Sequence, residues 1–150
     1  MVRLAEMPAV GRGFISELEM QEADVKPWTP SVPAAQRRIA IVSTAAVSRR
    51  GERPFSWLAR DHRVINKDDR DLVMTHVAVE YDRTGWQQDI NTIIPLDRLN
   101  EMEHSGEIGS VANEHYAFMG AADPLDMLKS AAKASDNICL LYTSPSPRDS

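Results

Sequence analysis

Ile39-Ala40-Ile41-Val42-Ser43-Thr44 is the stretch on which the fold turns. It is apolar on successive positions rather than alternate ones, and rich in β-branched side chains. Such a run suits a strand buried on both faces, as in a parallel sheet covered by helices. Small polar residues close it at Ser43 and Thr44, and Arg49-Arg50-Gly51-Glu52-Arg53-Pro54 follows. In open α/β sheets ligands bind beyond the carboxyl ends of strands, so the loop over 43–54 is a candidate site wall. It contains neither a GxGxxG nor a Walker pattern, and no nucleotide site follows from it.

Downstream, His62-Arg63-Val64-Ile65 and residues 71–76 read as further strands. Asn91-Thr92-Ile93-Ile94-Pro95 reads as a short extended run stopped by proline. Residues 95–102 read as a helix, with Leu96, Leu99 and Met102 at spacing three and Gly106 and Gly109 ending it. A second helix starts near Asp123 as N-cap, with Pro124 at its first position and Leu125, Leu128 and Ala132 on one face. Ile138 reads as the first residue of another strand. This alternation predicts an α/β fold, a Rossmann-like or flavodoxin-like, mostly parallel sheet with flanking helices, its C-terminal part missing.

Upstream, the stretch from Phe14 to Met20 has the makings of a short helix, and Pro27, Pro30 and Pro33, spaced by three, favour an extended linker. The expected organisation is an N-terminal extension with a Pro-rich linker over 1–37 and an incomplete α/β domain over 38–138. Residues 139–150, Cys-Leu-Leu-Tyr-Thr-Ser-Pro-Ser-Pro-Arg-Asp-Ser, resemble a translated sequencing adapter. They are read as a non-native tail, with the natural gene expected to continue beyond Ile138.

With 150 residues and a net charge of −5, the chain is one domain at most and lacks the basic excess of a general nucleic-acid binder. Its 43% hydrophobic and 26% charged residues are a globular composition. No apolar run approaches the ~20 residues of a membrane span, and no secretory signal opens the chain, so a cytoplasmic protein is expected. The single cysteine, Cys139, excludes an internal disulfide or a cysteine-rich zinc site within these residues.

The four histidines, His62, His76, His104 and His115, form no HxH, HxxxH or HExxH pair. His62, before a strand, and His104, at a helix end, read as solvated. His76 ends a strand, where a side chain reaches a cleft, and Glu80, Asp82 and Asp89 follow it; a histidine beside carboxylates suits general acid/base work. His115-Tyr116 adds polar groups. The bland alternative is that these side chains pin loops. The methionines Met74, Met102, Met119 and Met127 read as packing, and Trp57 and Trp86 as buried anchors. Arg49, Arg50 and Arg53 read as a solvated cluster or as a grip for a carboxylate substrate.

Several blocks, in order and spacing, resemble the glycine/sarcosine/betaine reductase selenoprotein B family, which includes D-proline reductase-like subunits. They are Thr75-His76, Asp89-Ile90-Asn91-Thr92-Ile93-Ile94-Pro95-Leu96-Asp97-Arg98-Leu99, Gly106-Glu107-Ile108-Gly109-Ser110-Val111-Ala112 and His115-Tyr116-Ala117-Phe118-Met119-Gly120, together with 39–44 and 50–55. The resemblance spans residues 38–138. It implies an α/β subunit of an oxidoreductase acting on a small amino-acid-type substrate: glycine, sarcosine, betaine or D-proline. A selenolate or thiolate attacks the substrate carbon and displaces an amine, and a dithiol system restores the reduced state. The implied partners are other reductase subunits or a thioredoxin-like dithiol donor, with neither nucleic acid nor membrane. The implied selenocysteine or redox cysteine lies downstream; no position of this chain carries it, no cofactor is expected here, and the fragment is expected to be inactive. His76, Asp89 and His115 are the catalytic candidates that would line the cleft, with His76 as acid/base. The alternatives are a non-catalytic α/β ligand-binding or scaffold subunit, and a metal-dependent hydrolase using His76, Asp82, Asp89 and His115.

Overall fold

The computed structural model describes residues 4–17, 32–78 and 83–143. The chain divides into two compact units, residues 1–31 and 32–150. In the first, a 3-10 turn at Leu4–Glu6 precedes helix α1, Ala9–Glu17. The helix begins earlier than the sequence suggests, because the Pro8 carbonyl accepts the Arg12 N–H and opens the first turn. Residues 18–20, and Pro27 and Pro30 of the expected linker, lie outside the described residues.

The second unit begins with a 3-10 turn at Ala34–Gln36. The apolar run from Ile39 then forms two very short strands, β1 (Arg38–Ile39) and β2 (Val42–Ser43). After them come β3 (Val47–Arg49), β4 (His62–Asn66), β5 (Leu72–Met74), helix α2 (Thr84–Gln88) and helix α3 (Leu96–Ser105). β6 (Ser110–Val111), β7 (Glu114–Phe118) and α4 (Pro124–Thr143) complete the order.

β7 is the central strand of a three-stranded sheet. β2 lies parallel to it, with Val42 opposite Tyr116 and Ser43 opposite Ala117. β4 lies antiparallel on its other side, with Ile65 opposite His115 and His62 opposite Phe118. β1 pairs in parallel with β6, and β3 pairs antiparallel with β5. The fold is therefore mixed α/β; two of the four strand pairings are antiparallel, so no mostly parallel sheet forms among the described residues. Apolar content says how deeply a strand is buried; strand direction follows from connections. β5 returns antiparallel to β3 after β4 has joined another sheet, whereas β2 reaches β7 only after an excursion that includes two helices.

Pleating sorts β7 into two faces. Tyr116 and Phe118 pack with Ala134, Val64, Met127 and Ile138 beneath α4. Ala117 faces the other way, into a core with Val47, Ile65, Leu72, Ile94 and Leu96. Full burial of side chains such as Ile65 and Ile94 stabilises the fold by about 1.5–3 kcal/mol each.

Helix α3 begins after Pro95 and ends where expected, at Gly106, whose left-handed φ of 77° presents its N–H to the last turn. In α4, Asp123 accepts the Leu125 N–H at 2.9 Å, as an N-cap does. Its buried stripe is Met127, Ala134 and Ile138, however, with Leu128 54% exposed. Of the expected face, Leu125 is half-buried while Leu128 and Ala132 are exposed, because the His62–Ser130 bond and the β7 aromatics fix the helix's rotation. Ile138 lies inside this helix and not in a strand. Residues 91–95 are also not extended: Asp89 caps a 3-10 turn at Ile90–Thr92. Part of the 43–54 segment is strand β3 rather than loop.

Candidate functional site

The carboxyl ends of β2 and β7 draw three segments together. Ala45 bridges Met119, the Gly120 N–H donates to the Thr44 carbonyl at 3.0 Å, and the Ala46 N–H donates to the Phe118 carbonyl at 2.9 Å. Gly120 is required by this approach, since a Cβ there would lie 2.7 Å from the Thr44 carbonyl oxygen. Ala46 holds a φ of 52°, a left-handed conformation that costs a residue with a Cβ about 1–2 kcal/mol. It persists because its neighbours over-determine it. Its carbonyl accepts both the N–H and the hydroxyl of Thr75, each at 2.9 Å. With its proton committed there, the Thr75 oxygen accepts from the Phe55 N–H at 3.3 Å and from the buried Ser48 hydroxyl at 3.2 Å. Strain of this kind is typical of functional strand ends.

This lattice delivers His76. The residue is 3% exposed, and its Nδ1 accepts the Ala78 N–H at 3.1 Å. A neutral ring accepting at Nδ1 carries its proton on Nε2. Arg83 closes the same turn: its Nη2 donates to the carbonyls of His76, at 3.0 Å, and Ala78, at 3.4 Å. Glu80 and Asp82 lie outside the described residues.

Asp89 is exposed. Its Oδ1 accepts the Asn91 N–H at 2.9 Å and the Asn91 side-chain amide at 2.8 Å. The backbone bond chiefly, then the side-chain bond, holds its carboxyl below the ordinary value. Asn91 in turn joins Asp97, donating to its carboxylate and accepting its N–H, each at 3.0 Å. The block from Asp89 to Asp97 is thus a self-bonded turn that seats α3.

His115 is fully buried, and its Nδ1 accepts the Ile41 N–H at 3.0 Å. It closes the break between β1 and β2, where a strand N–H would otherwise lack an acceptor. Burial pushes its pKa down. Its Nε2 has no hydrogen-bond partner among the described residues. His115 lies three residues before Phe118, roughly 10 Å along the strand from the end where Thr75 and His76 sit. Among the described residues no hydrogen bond joins any two of His76, Asp89 and His115. No group of three or more His, Cys, Asp or Glu side chains among them is placed to hold a metal ion.

The arginine cluster is occupied at home. Arg49 pairs with Glu52 at 3.0 Å and with Asp69 at 2.6 Å, which raise its pKa, and Arg50 pairs with Asp71 at 2.8 Å. His104 is exposed and bonds the Asn100 carbonyl, as a helix-end histidine should. His62 is not solvated. Its ring packs on Tyr116 and Phe118, its Nδ1 bonds the Ser130 hydroxyl of α4 at 2.7 Å, and burial lowers its pKa. Trp57 is no buried anchor, being 60% exposed, while Met74 and Met119 are buried as packing residues should be. Sequence reasoning missed Arg83, Thr75's hydroxyl and Ser48. Arg83 carries no spacing signal, since its partners are carbonyls.

A family model described as glycine/sarcosine/betaine reductase selenoprotein B matches residues 7–139. No curated protein and no solved structure matches the chain significantly.

Proposed function

Because the chain belongs to the glycine/sarcosine/betaine reductase selenoprotein B family, we propose that it is a subunit of a multi-subunit reductase acting on a small amino-acid-type substrate. The observation that carries this reading is the family match over nearly the whole described chain. The substrate is glycine, sarcosine, betaine or D-proline. A thiolate or selenolate attacks the substrate carbon and the carbon–nitrogen bond breaks; the nitrogen departs as the amine, taking up a proton where it is not quaternary, or stays tethered when the D-proline ring opens. A dithiol then resolves the adduct, supplying two electrons and becoming a disulfide. His76, buried beside a strained strand end with its proton on Nε2, is the acid/base candidate for that amine. Asp89 and His115 are proposed as the further residues of the same cleft.

The nucleophile is proposed to lie outside these residues, since the sequence holds no thiol before Cys139. No helix among the described residues is long and apolar enough to cross a membrane, which accords with the proposed cytoplasmic location.

The test has two stages. Resequencing the locus past the codon for Ile138 should reveal a frame that continues into paired cysteines, or a cysteine with an in-frame UGA. The restored protein, assembled with its partner subunits and a dithiol, should then release amine from glycine, sarcosine or betaine, or open the ring of D-proline. A genomic stop after Ser150, or an assembled complex that oxidises no dithiol with any of them, would instead favour the ligand-binding or scaffold subunit. The single cysteine of this sequence is what speaks for that second reading.

A further inference from the structure

We infer that Arg83 is the anchor for the carboxylate of the substrate, and that the site selects small monocarboxylates by gripping that group beside His76. The substrate's identity rests on the reductase reading; the carboxylate rests on the geometry of the arginines.

Five of the ten described arginines of the second unit are neutralised by a carboxylate of their own. Arg49 lies between Glu52 and Asp69, Arg50 is on Asp71, Arg60 on Asp126, Arg63 on Asp61 and Arg98 on Glu101. Arg63 also stacks over the Phe55 ring. Arg83 differs. The bonds of its Nη2 go to two carbonyls, those of His76 and Ala78, and among the described residues no carboxylate pairs with it. Carbonyl dipoles orient a guanidinium but leave its charge in place. The fork is also held by the turn whose Ala78 N–H fixes the His76 ring. Arg83 is exposed, and its fork is tied to the backbone of the residue that carries the buried imidazole. A planar fork with two parallel N–H donors matches a carboxylate bidentately, which a lysine cannot do. Arg70 also rests on carbonyls, those of Lys67 and Asp69, but in the turn between β4 and β5, away from His76. It is the natural control.

The experiment titrates the full chain with betaine, glycine, acetate and, as a probe without a carboxylate, glycinamide. Two-dimensional NMR follows the Ala78 amide, the Arg83 Nε–H and the His76 ring nitrogens. The carboxylates are expected to shift all three, and glycinamide none. Arg83→Gln should weaken carboxylate binding about tenfold or more, Arg83→Lys less, and Arg70→Gln not at all. If Arg83→Gln loses its dispersed spectrum, Arg83→Lys carries the comparison. Undiminished binding by the Arg83 variants, shifts centred elsewhere, or no carboxylate binding by the parent chain overturns the inference. Acetate has no amine to lose. Its binding at Arg83 without substrate reduction in the assembled complex therefore sinks the reductase reading alone. Reduction with an unchanged KM in Arg83→Gln sinks the carboxylate anchor alone.

Discussion

Gly120→Ala tests the packing that forms the strand-end lattice. The added Cβ would stand 2.7 Å from the Thr44 carbonyl oxygen and 3.0 Å from Thr44 Cβ. The nearer obstacle is backbone, so it cannot swing aside as a long side chain could. Either Thr44 or Gly120 must retreat by several tenths of an ångström. That movement stretches the Gly120 N–H bond to the Thr44 carbonyl, now 3.0 Å. Overpacking of this kind costs about 1–3 kcal/mol, and a lost hydrogen bond about 1 kcal/mol. The two overlap, so about 2–3 kcal/mol is expected. For a chain of this size that lowers Tm by roughly 4–12 °C. Gly85→Ala is the matched control. Its Cβ would meet only Thr92 Oγ1, at 4.0 Å, inside helix α2. Alanine's better helix propensity should stabilise the protein by up to about 1 kcal/mol there. Urea unfolding followed by circular dichroism reads both. If Gly120→Ala unfolds within about 0.5 kcal/mol of the parent, the close approach is not a real constraint and the reasoning fails.

Two further outcomes are expected. Burial lowers the pKa of both His115 and His62, so the unfolded chain takes up their protons first as pH falls. Stability should be full above about pH 6.5 and decline as pH drops through the lowered folded values, by at most about 1.4 kcal/mol per pH unit for each histidine. In His115→Gln, whose side-chain oxygen can still accept the Ile41 N–H, urea midpoints measured across that range should show a shallower acid limb; an unchanged limb counts against the assignment. Asp89→Ala removes the cap from Asn91 and should cost about 0.5–2 kcal/mol. Hydrogen exchange should show faster opening over residues 90–97 while the β4–β7 amides keep their protection, and unaltered exchange at Asn91 contradicts the capping role.

What the sequence revealed follows from how local each signal is. The α3 stop at Gly106 and the α4 start at Asp123 need only neighbouring atoms, and both stand where the sequence puts them. The strand at 62–65 was legible from its β-branched pair. β7 carries no strand signature, because Glu114-His115-Tyr116-Ala117-Phe118 mixes charge, imidazole and aromatics, and only two-sided packing makes it central. Residues 91–95 look like a strand by composition, yet the Asp89 carboxylate captures the Asn91 N–H first and turns the chain. In the site, His76 was legible as the end of a strand. Its tautomer was not, since it is set by the Ala78 N–H two residues away.

The same distinction explains why the arginines mislead. A cluster such as Arg49-Arg50 attracts attention because charge is visible in sequence, but charge is what neighbouring carboxylates neutralise. Arg49 meets Asp69 through the pairing of β3 with the segment after β4, a partnership no spacing announces. A cation prepared for a ligand has the opposite signature: it is oriented by groups that leave its charge unspent. Carbonyls do this, and they belong to every residue, so no composition marks the place. Arg83 becomes conspicuous only when the ion pairs of its counterparts are laid beside its own bonds to His76 and Ala78. The strained Ala46 carbonyl, bound twice by Thr75, then accounts for why that turn can hold still. Fixing Thr75 fixes the backbone on which His76 and its arginine both depend.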